Sequence, residues 1–446
     1  MNGTLLPIGP DTDPVARPLY EAHVLHRYVA GVVLLIVWAT AWAARRTQRA
    51  HPLLVRLALV NAVLYPLQAV IGGFQVITRL DEWTQTLHLA LGAVIWGVAA
   101  ALAFAAYYEA RGARIVSADV EGAGDEASGG RIPGAEADRP GDRPLKDTVR
   151  AYIALTKPRI IELLLITTIP AMVLATRDIP AMDFAEWLRL AAWTMVAGTL
   201  AAGSANAVNQ YLDRDIDLLM SRTRRRPLPA HDVTPENAVV FGIALGVISI
   251  GLMAWFVNLV AAFLTLLAIG FYVVVYTLML KRTTPQNIVI GGAAGALPPV
   301  IGWAAVTGTV EVPALLLFAL VFYWTPPHFW ALALRIRRDY EAARVPMLPV
   351  VKGVPETARQ IALYTVLLVA ISLVFFAVAR MGPVYLVAAV VLGAVFLWRA
   401  FTLWQQAASP EGSLAQAIRL YRYSISYLTL LFAAVAVDSL LVGHVI

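Results

Sequence analysis

Residues 209–227 read NQYLDRDIDLLMSRTRRRP and follow directly on an apolar run at about 187–211. Asn209, Asp213 and Asp217 recur at i, i+4 and i+8, so on a helix all three share one face. Like charges one turn apart repel, and a helix keeps such a pair most readily with a cation between them. Carboxylate and amide oxygens suit Mg²⁺, which is usually held by one or two carboxylates together with substrate phosphates. Arg222 and Arg226 would meet the remaining phosphate charge. Asp215 falls on another face and is expected to pair with Arg214 or an adjacent arginine. A solvated, positively charged helix anchor would explain the arginines. It would not explain three helically spaced polar groups at a membrane boundary, where ionisable residues are costly and usually functional.

Composition supplies the membrane. Of 446 residues, 59% are hydrophobic and 14% charged, against about 25% charged in soluble chains. That balance excludes an ordinary soluble enzyme, a disordered chain and a nucleic-acid-binding protein, despite a net charge of +6. The chain has no cysteine, which excludes disulfides, thiolate catalysis and cysteine metal sites. Its start, MNGTLLPIGPDTDP, lacks the basic and apolar regions of a signal peptide.

Apolar runs of membrane-spanning length predict twelve helices. Three lie at about 24–44, 53–77 and 85–108. Nine lie at about 160–176, 187–211, 237–256, 259–280, 286–306, 313–334, 360–379, 384–403 and 424–444. The expected fold is therefore all-α and polytopic: a nine-helix bundle preceded by three extra transmembrane helices. Between the groups, residues 109–150 hold seven Lys/Arg and nine Asp/Glu among glycine and proline. Such a stretch reads as a flexible solvated linker. The expected divisions are 1–112, a linker at 113–147, and 148–446. Arg45, Arg46, Arg49 and Arg56 place the first loop inside by the positive-inside rule. The linker, Arg222 to Arg226, Lys281–Arg282 and Arg335 to Arg344 then fall on the same, cytoplasmic side.

Other stretches add chemistry to that side. Lys281 and Arg282 could hold phosphate oxygens, although positive-inside anchoring alone would also place them there. Asn287, at a helix start, is either a cap or a ligand-facing amide. Gly291, Gly292 and Gly295 read first as close helix packing. His328 follows Pro326–Pro327, which should kink or end its helix. As an intramembrane histidine it is a functional candidate, with a hydrogen-bonded packing role as the alternative. Tyr276, Trp303, Phe329 and Trp330 are aromatic faces able to steady a cation.

The N-x-x-x-D-x-x-x-D run at 209–217, with M-x-R-T-x-x-R-P after it, resembles the first aspartate motif of the intramembrane aromatic prenyltransferase superfamily. The chain is most similar to the protoheme IX farnesyltransferase (heme O synthase) family. Further matching stretches are Leu155–Arg159, Tyr276–Thr277, Lys281–Gly292, Ala294–Pro299 with Gly302–Trp303, Trp324–Trp330 and Asp339–Pro349. The resemblance covers about 148–446. It implies nine helices and an Mg²⁺-dependent transfer of farnesyl from farnesyl diphosphate to a vinyl group of protoheme IX. Water then adds a hydroxyl, giving heme O. In that scheme Asn209, Asp213 and Asp217 hold Mg²⁺, and Lys157, Arg159, Arg222, Arg226, Lys281 and Arg282 hold the diphosphate. Asp339 is what remains of a second aspartate motif, and His328 is a catalytic candidate. Asn287, Tyr276, Trp303 and Phe329 face haem or the prenyl chain.

Near the N-terminus, His26 and His88 fall at similar depth at the outer starts of helices one and three. Two such imidazoles could ligate one haem iron. The stretch from His26, Gln68 with Gly72, and Leu87–Leu89 around His88 resemble three helices of one half of the heme A synthase family. Residues 2–7 resemble the loop before them. With only part of one half present, the resemblance implies haem binding or docking and not that family's activity. A separate heme A synthase is an expected partner, because the two steps adjoin. The expected location is a prokaryotic cell (inner) membrane, in contact with lipid, with the site and linker cytoplasmic. The rival from another class is a haem transporter. Against it, no two-half repeat is visible and the acidic triplet sits at the inner face, not the midplane. Prenyl chain length is not legible in these patterns.

Overall fold

The computed structural model describes residues 16–77, thirteen positions between 84 and 106, 144–179 and 182–442. The stretch before residue 16, most of the 113–147 linker, Arg79, and the side chains of His23 and Arg159 lie outside the described residues. The chain divides into two compact units, Met1–Pro133 and Gly134–Ile446.

In the first unit, α1 (Ala16–Thr47) and α2 (Pro52–Ile77) are followed by a chain that is helical at every described position from 84 to 106. Small residues let the helices approach: Ala41, Ala44 and Ala58 form a buried cluster. Trp38 Nε1 donates to the Ala62 carbonyl at 3.1 Å. Gln68 Nε2 donates to the His88 carbonyl at 2.8 Å, and Gln75 Nε2 to that of Thr84 at 3.2 Å. A lipid-embedded bundle has no water to offer these carbonyls, so side-chain amides hold the helices together.

The second unit begins with a short amphipathic helix, α3 (Leu145–Thr156), and then α4 (Pro158–Ala175). Lys157 joins them in the left-handed region, at φ 52°. Then come α5 (Phe184–Leu212), the short α6 (Arg214–Leu219), α7 (Pro235–Phe256) and α8 (Leu259–Gly270). α8 continues as a π-helix over Phe271–Leu280. α9 (Asn287–Ala296) and α10 (Pro298–Thr307) form one broken span, and α11 (Val312–Arg335) follows. Two short helices, α12 (Arg337–Ala342) and α13 (Leu348–Val351), precede α14 (Gly353–Val378), α15 (Pro383–Gln405) and α16 (Pro410–Val442). All nine expected spans of this unit are present.

Among the described residues, nine helices are long and apolar enough to cross a membrane, two in the first unit and seven in the second. α5 is not one of them, because Ser204, Asn206, Asn209 and Gln210 dilute its apolar character; all four are buried. In α4 the described side chains include the apolar stretch Ile166–Ala175. Outward, Trp255, Phe263, Val387 and Trp398 are each more than 60% exposed, as lipid-facing residues should be. The chain is an integral membrane protein.

Two expectations are corrected here. Pro326 and Pro327 do not end their helix, since α11 runs through them to Arg335. Proline is tolerated within membrane helices because neighbouring groups can satisfy the freed carbonyls. The acidic triplet also does not lie on one uninterrupted helix, because α5 stops at Leu212 and α6 starts at Arg214.

Candidate active site

The break at Asp213 is small. Asp213 takes φ −95° and ψ 3°. Its N–H still donates to the Asn209 carbonyl at 2.9 Å, and the Asp217 N–H to the Asp213 carbonyl at 2.8 Å. The i, i+4 relation therefore survives, and all three side chains are buried. Each is met by a cation from elsewhere in the fold. Lys157 Nζ donates to Asn209 Oδ1 at 2.9 Å. Lys281 Nζ pairs closely with Asp213 Oδ2. Arg226 Nη1 donates to both Asp217 oxygens, at 2.9 and 2.7 Å.

The π-helix makes this register. Thr277 Oγ1 donates to the Tyr272 carbonyl and the Lys281 N–H to the Tyr276 carbonyl, both across five residues. The wider turn brings Thr277 beside the aspartate helix, where its hydroxyl accepts from Asn209 Nδ2 at 3.2 Å. Single π-turns in α-helices are frequent at functional sites. This segment orders Tyr272, Tyr276, Thr277 and Lys281 around the triplet.

Asp215 is paired otherwise than expected. Arg282 binds it through two guanidinium nitrogens at 2.6 and 2.7 Å and also donates to the Leu212 carbonyl. Arg214 instead stacks over Tyr211. Burial pushes the Asp215 carboxyl up, but the Arg282 pair outweighs it and leaves the group below its usual range. Arg282 thus clamps the 281–287 loop to the aspartate segment and is not a cavity residue.

A cavity of about 350 Å³ opens between α4, α5, α8, the π-helix, α9, α10 and α11. Its polar end is lined by Lys157, Asn209, Asp217, Arg222, Arg226 and Lys281. Burial, and then repulsion from Arg226 and Lys281, pulls the Lys157 ammonium down to about 7 against the attraction of Asp213 and Asp217. A cluster this cationic is short of negative charge. Of the aromatic candidates, Tyr276 and Phe329 line the cavity. Trp303 and Trp330 do not; both are buried in the core, and Trp330 sits edge-on to Tyr364.

Three further expectations change. His328 is buried off the cavity, with Nδ1 2.7 Å from Ser424 Oγ and its ring stacked on Trp324. Its surroundings are those of a hydrogen-bonded packing residue. Asn287 is neither cap nor cavity wall: it is fully buried and its Nδ2 donates to the Lys281 carbonyl at 3.2 Å, which fixes the loop that presents Lys281. Asp339 accepts from the Ser221 hydroxyl at 2.9 Å and from its N–H at 3.3 Å. It latches α12 to the aspartate segment, and its neighbour Tyr340 reaches the cavity. All three glycines line the cavity. Gly291 and Gly292 also pack closely, since a Cβ would overlap the Tyr276 ring at one and lie 2.9 Å from Thr325 at the other, whereas Gly295 faces open space.

The sequence reading missed the deep end, lined by Thr168, Thr194, Thr265, Ile301 and Val321, and also Tyr272 and Tyr340. A signal was there: counting back from Asn209 by threes and fours gives Asn206, Ala205, Ala202, Ala201, Gly198 and Thr194, all cavity-lining. In the first unit, His88 packs against Gly72, where a Cβ would lie 3.0 Å from its Cε1. His26 is exposed.

Fold and site together define a membrane-embedded prenyltransferase. The UbiA prenyltransferase family model matches residues 164–425, and the chain belongs to that family. Residues 1–100 match a cytochrome oxidase assembly protein family, COX15-CtaA. A protoheme IX farnesyltransferase from Frankia casuarinae is 56% identical over 291 residues, 65% of this chain and 98% of that protein. One from Thermus thermophilus is 42% identical over 442 residues, 97% of this chain and 68% of its own length. Among solved structures, one described as digeranylgeranylglyceryl phosphate synthase matches with TM-score 0.54 at 17% identity, over 66% of this chain and 100% of that one. A UbiA homolog from Aeropyrum pernix matches with TM-score 0.50 at 20% identity, over 62% and 98%.

Proposed function

We propose that the second unit transfers a farnesyl group from farnesyl diphosphate to a vinyl carbon of protoheme IX, with water adding a hydroxyl to give heme O. The carrying observation is the cavity itself: a largely apolar pocket whose charged end joins the buried Asn209 and Asp217 to Lys157, Arg222, Arg226 and Lys281. The relatives named protoheme IX farnesyltransferase support the choice of acceptor.

The residues fit Mg²⁺. Asn209 and Asp217 bring hard oxygens to the cavity wall, and Asp213, buried behind that wall, has an Oδ1 that accepts no hydrogen bond, with Arg282 Nη2 3.7 Å away. Asn209, Asp213 and Asp217 would hold the ion, which when bound shares the diphosphate charge. Arg226 and Lys281, now paired with the aspartates, turn toward the diphosphate. Lys157 adds a further cationic group beside that anion. Together they stabilise the leaving group as its bond to the allylic carbon breaks. Tyr276 and Phe329 present ring faces to the cationic chain, while the apolar wall keeps out all but the water that completes the product.

The site side is assigned to the cytoplasm by the arginine-rich loops, the membrane to the prokaryotic cell membrane, and lipid to the exposed apolar belt. Heme A synthase, the next enzyme, is the proposed partner. Asp213→Ala and Asp217→Ala should each cut heme O formation at least roughly a hundredfold, the scale of losing one electrostatic stabiliser. Membranes supplied with protoheme, farnesyl diphosphate and Mg²⁺ test this. Full turnover in variants that purify as monodisperse protein would end the mechanism.

The first unit is proposed to bind haem through His88, whose Nδ1 is buried without a partner, with His26 as the second candidate ligand. Haem added to the full chain should give a Soret band component that His88→Ala loses. An identical spectrum in the variant removes the reading.

A further inference from the structure

The deep end of the cavity is unexpectedly polar for a hydrocarbon site. Thr168, Thr194 and Thr265 line it within otherwise apolar helices, and all three are buried. Threonines in membrane helices usually satisfy themselves by donating one turn back, and Thr265 does so to the Ala261 carbonyl at 2.7 Å. Thr194 is the exception. It is 1% exposed, lines the cavity, and its hydroxyl has no hydrogen-bond partner. A buried hydroxyl left unpaired is costly, so a polar occupant belongs beside it.

Position gives that hydroxyl a purpose. Thr194 lies fifteen residues before Asn209 on α5, about 22 Å along the axis at 1.5 Å per residue. An extended farnesyl main chain of about twelve carbons spans roughly 14 Å, taking about 1.2–1.3 Å of advance per carbon–carbon bond. With roughly 5 Å for the diphosphate at the Asn209 level, its end falls about 3 Å short of Thr194, room for one water molecule. A chain longer by one isoprene unit adds roughly 5 Å on the same spacing and reaches the threonine layer. Gly198, Ala201, Ala202 and Ala205 keep the α5 wall flat over the intervening length.

We propose that Thr194 sets the prenyl chain length as a polar stop. Its hydroxyl holds a water molecule beneath a fifteen-carbon tail. A twenty-carbon tail must displace that water and leave the hydroxyl unpaired. This selects farnesyl over geranylgeranyl without any steric wall, and it rests on the reading of the site as a protoheme prenyltransferase.

The test gives the full chain, in membranes, protoheme, Mg²⁺ and equal farnesyl and geranylgeranyl diphosphate, and reads the product ratio by mass spectrometry. Thr194→Val keeps the shape and removes the hydroxyl. It should raise the geranylgeranyl share roughly tenfold, the cost of one unpaired hydroxyl. Thr194→Ser keeps the hydroxyl and should retain the wild-type ratio. A steric gauge predicts the reverse, with Ser shifted and Val unchanged, and that result would overturn the proposal. So would an unchanged ratio in both variants. Prenylated haem from neither donor in the wild type would instead defeat the underlying reading of the reaction.

Discussion

Gly291 shows how a residue with no side chain can decide a site. Its Cα faces Tyr276 so closely that a methyl group would overlap the ring. Tyr276 lines the cavity and stacks obliquely on Tyr272, with centroids 5.4 Å apart. Gly291→Ala must therefore push the Tyr276 ring into the cavity or spread α9 from the π-helix, an overpacking cost of about 1–3 kcal/mol. We expect prenyl transfer to fall at least roughly tenfold while the purified variant stays monodisperse; wild-type turnover would show that the ring has room to move. Asn209, Asp213 and Asp217 were legible because helical spacing is visible in a sequence. The roles of Asn287 and Asp339 were not. Both hold backbone or a hydroxyl of a distant segment, Lys281 for one and Ser221 for the other, and contacts between segments leave no periodic trace.

At the scale of elements, hydropathy placed all nine spans of the second unit but said little about their irregularities. Nothing in Phe271–Leu280, apolar apart from Thr277 and two tyrosine hydroxyls, announces a π-helix. Its cause is tertiary: Thr277 must reach Asn209, and Lys281 must reach Asp213, from one helix end. The break after Leu212 has a similar origin. α6 turns aside so that Arg226, in the following loop, can close back on Asp217. On the opposite side of the bundle, polar groups serve a structural end. Arg177 donates to the Ala379 and Arg380 carbonyls at the end of α14. Asp438 accepts from the Gly382 and Tyr385 N–H groups at the start of α15. The turn after α4 and the last helix, α16, thus tie down the loop between α14 and α15. These charges are buried or half-buried for packing reasons, which is why intramembrane charge alone is a weaker guide to chemistry than charge arranged around a cavity.

For the whole molecule, the division of labour follows from where the site residues lie. Every group lining the cavity comes from Lys157 onward, and its own unit supplies the core around it. The Frankia relative aligns over 98% of its length with only 65% of this chain, so a protein of that name is built almost wholly from the second unit. The Thermus relative aligns across 97% of this chain, so the pairing of the two units is shared with at least one relative. These two facts separate what transfer requires from what the first unit adds. Residues 144–446 expressed alone should fold in the membrane and convert protoheme and farnesyl diphosphate to heme O at a rate within a few-fold of the full chain, because the residues that line the cavity all remain in the shorter chain. The rate is best compared at saturating and at limiting protoheme. A shorter chain equal at saturation but slower when haem is scarce would assign the first unit to haem capture, whereas loss of turnover at both concentrations would mean that the second unit does not hold a complete site.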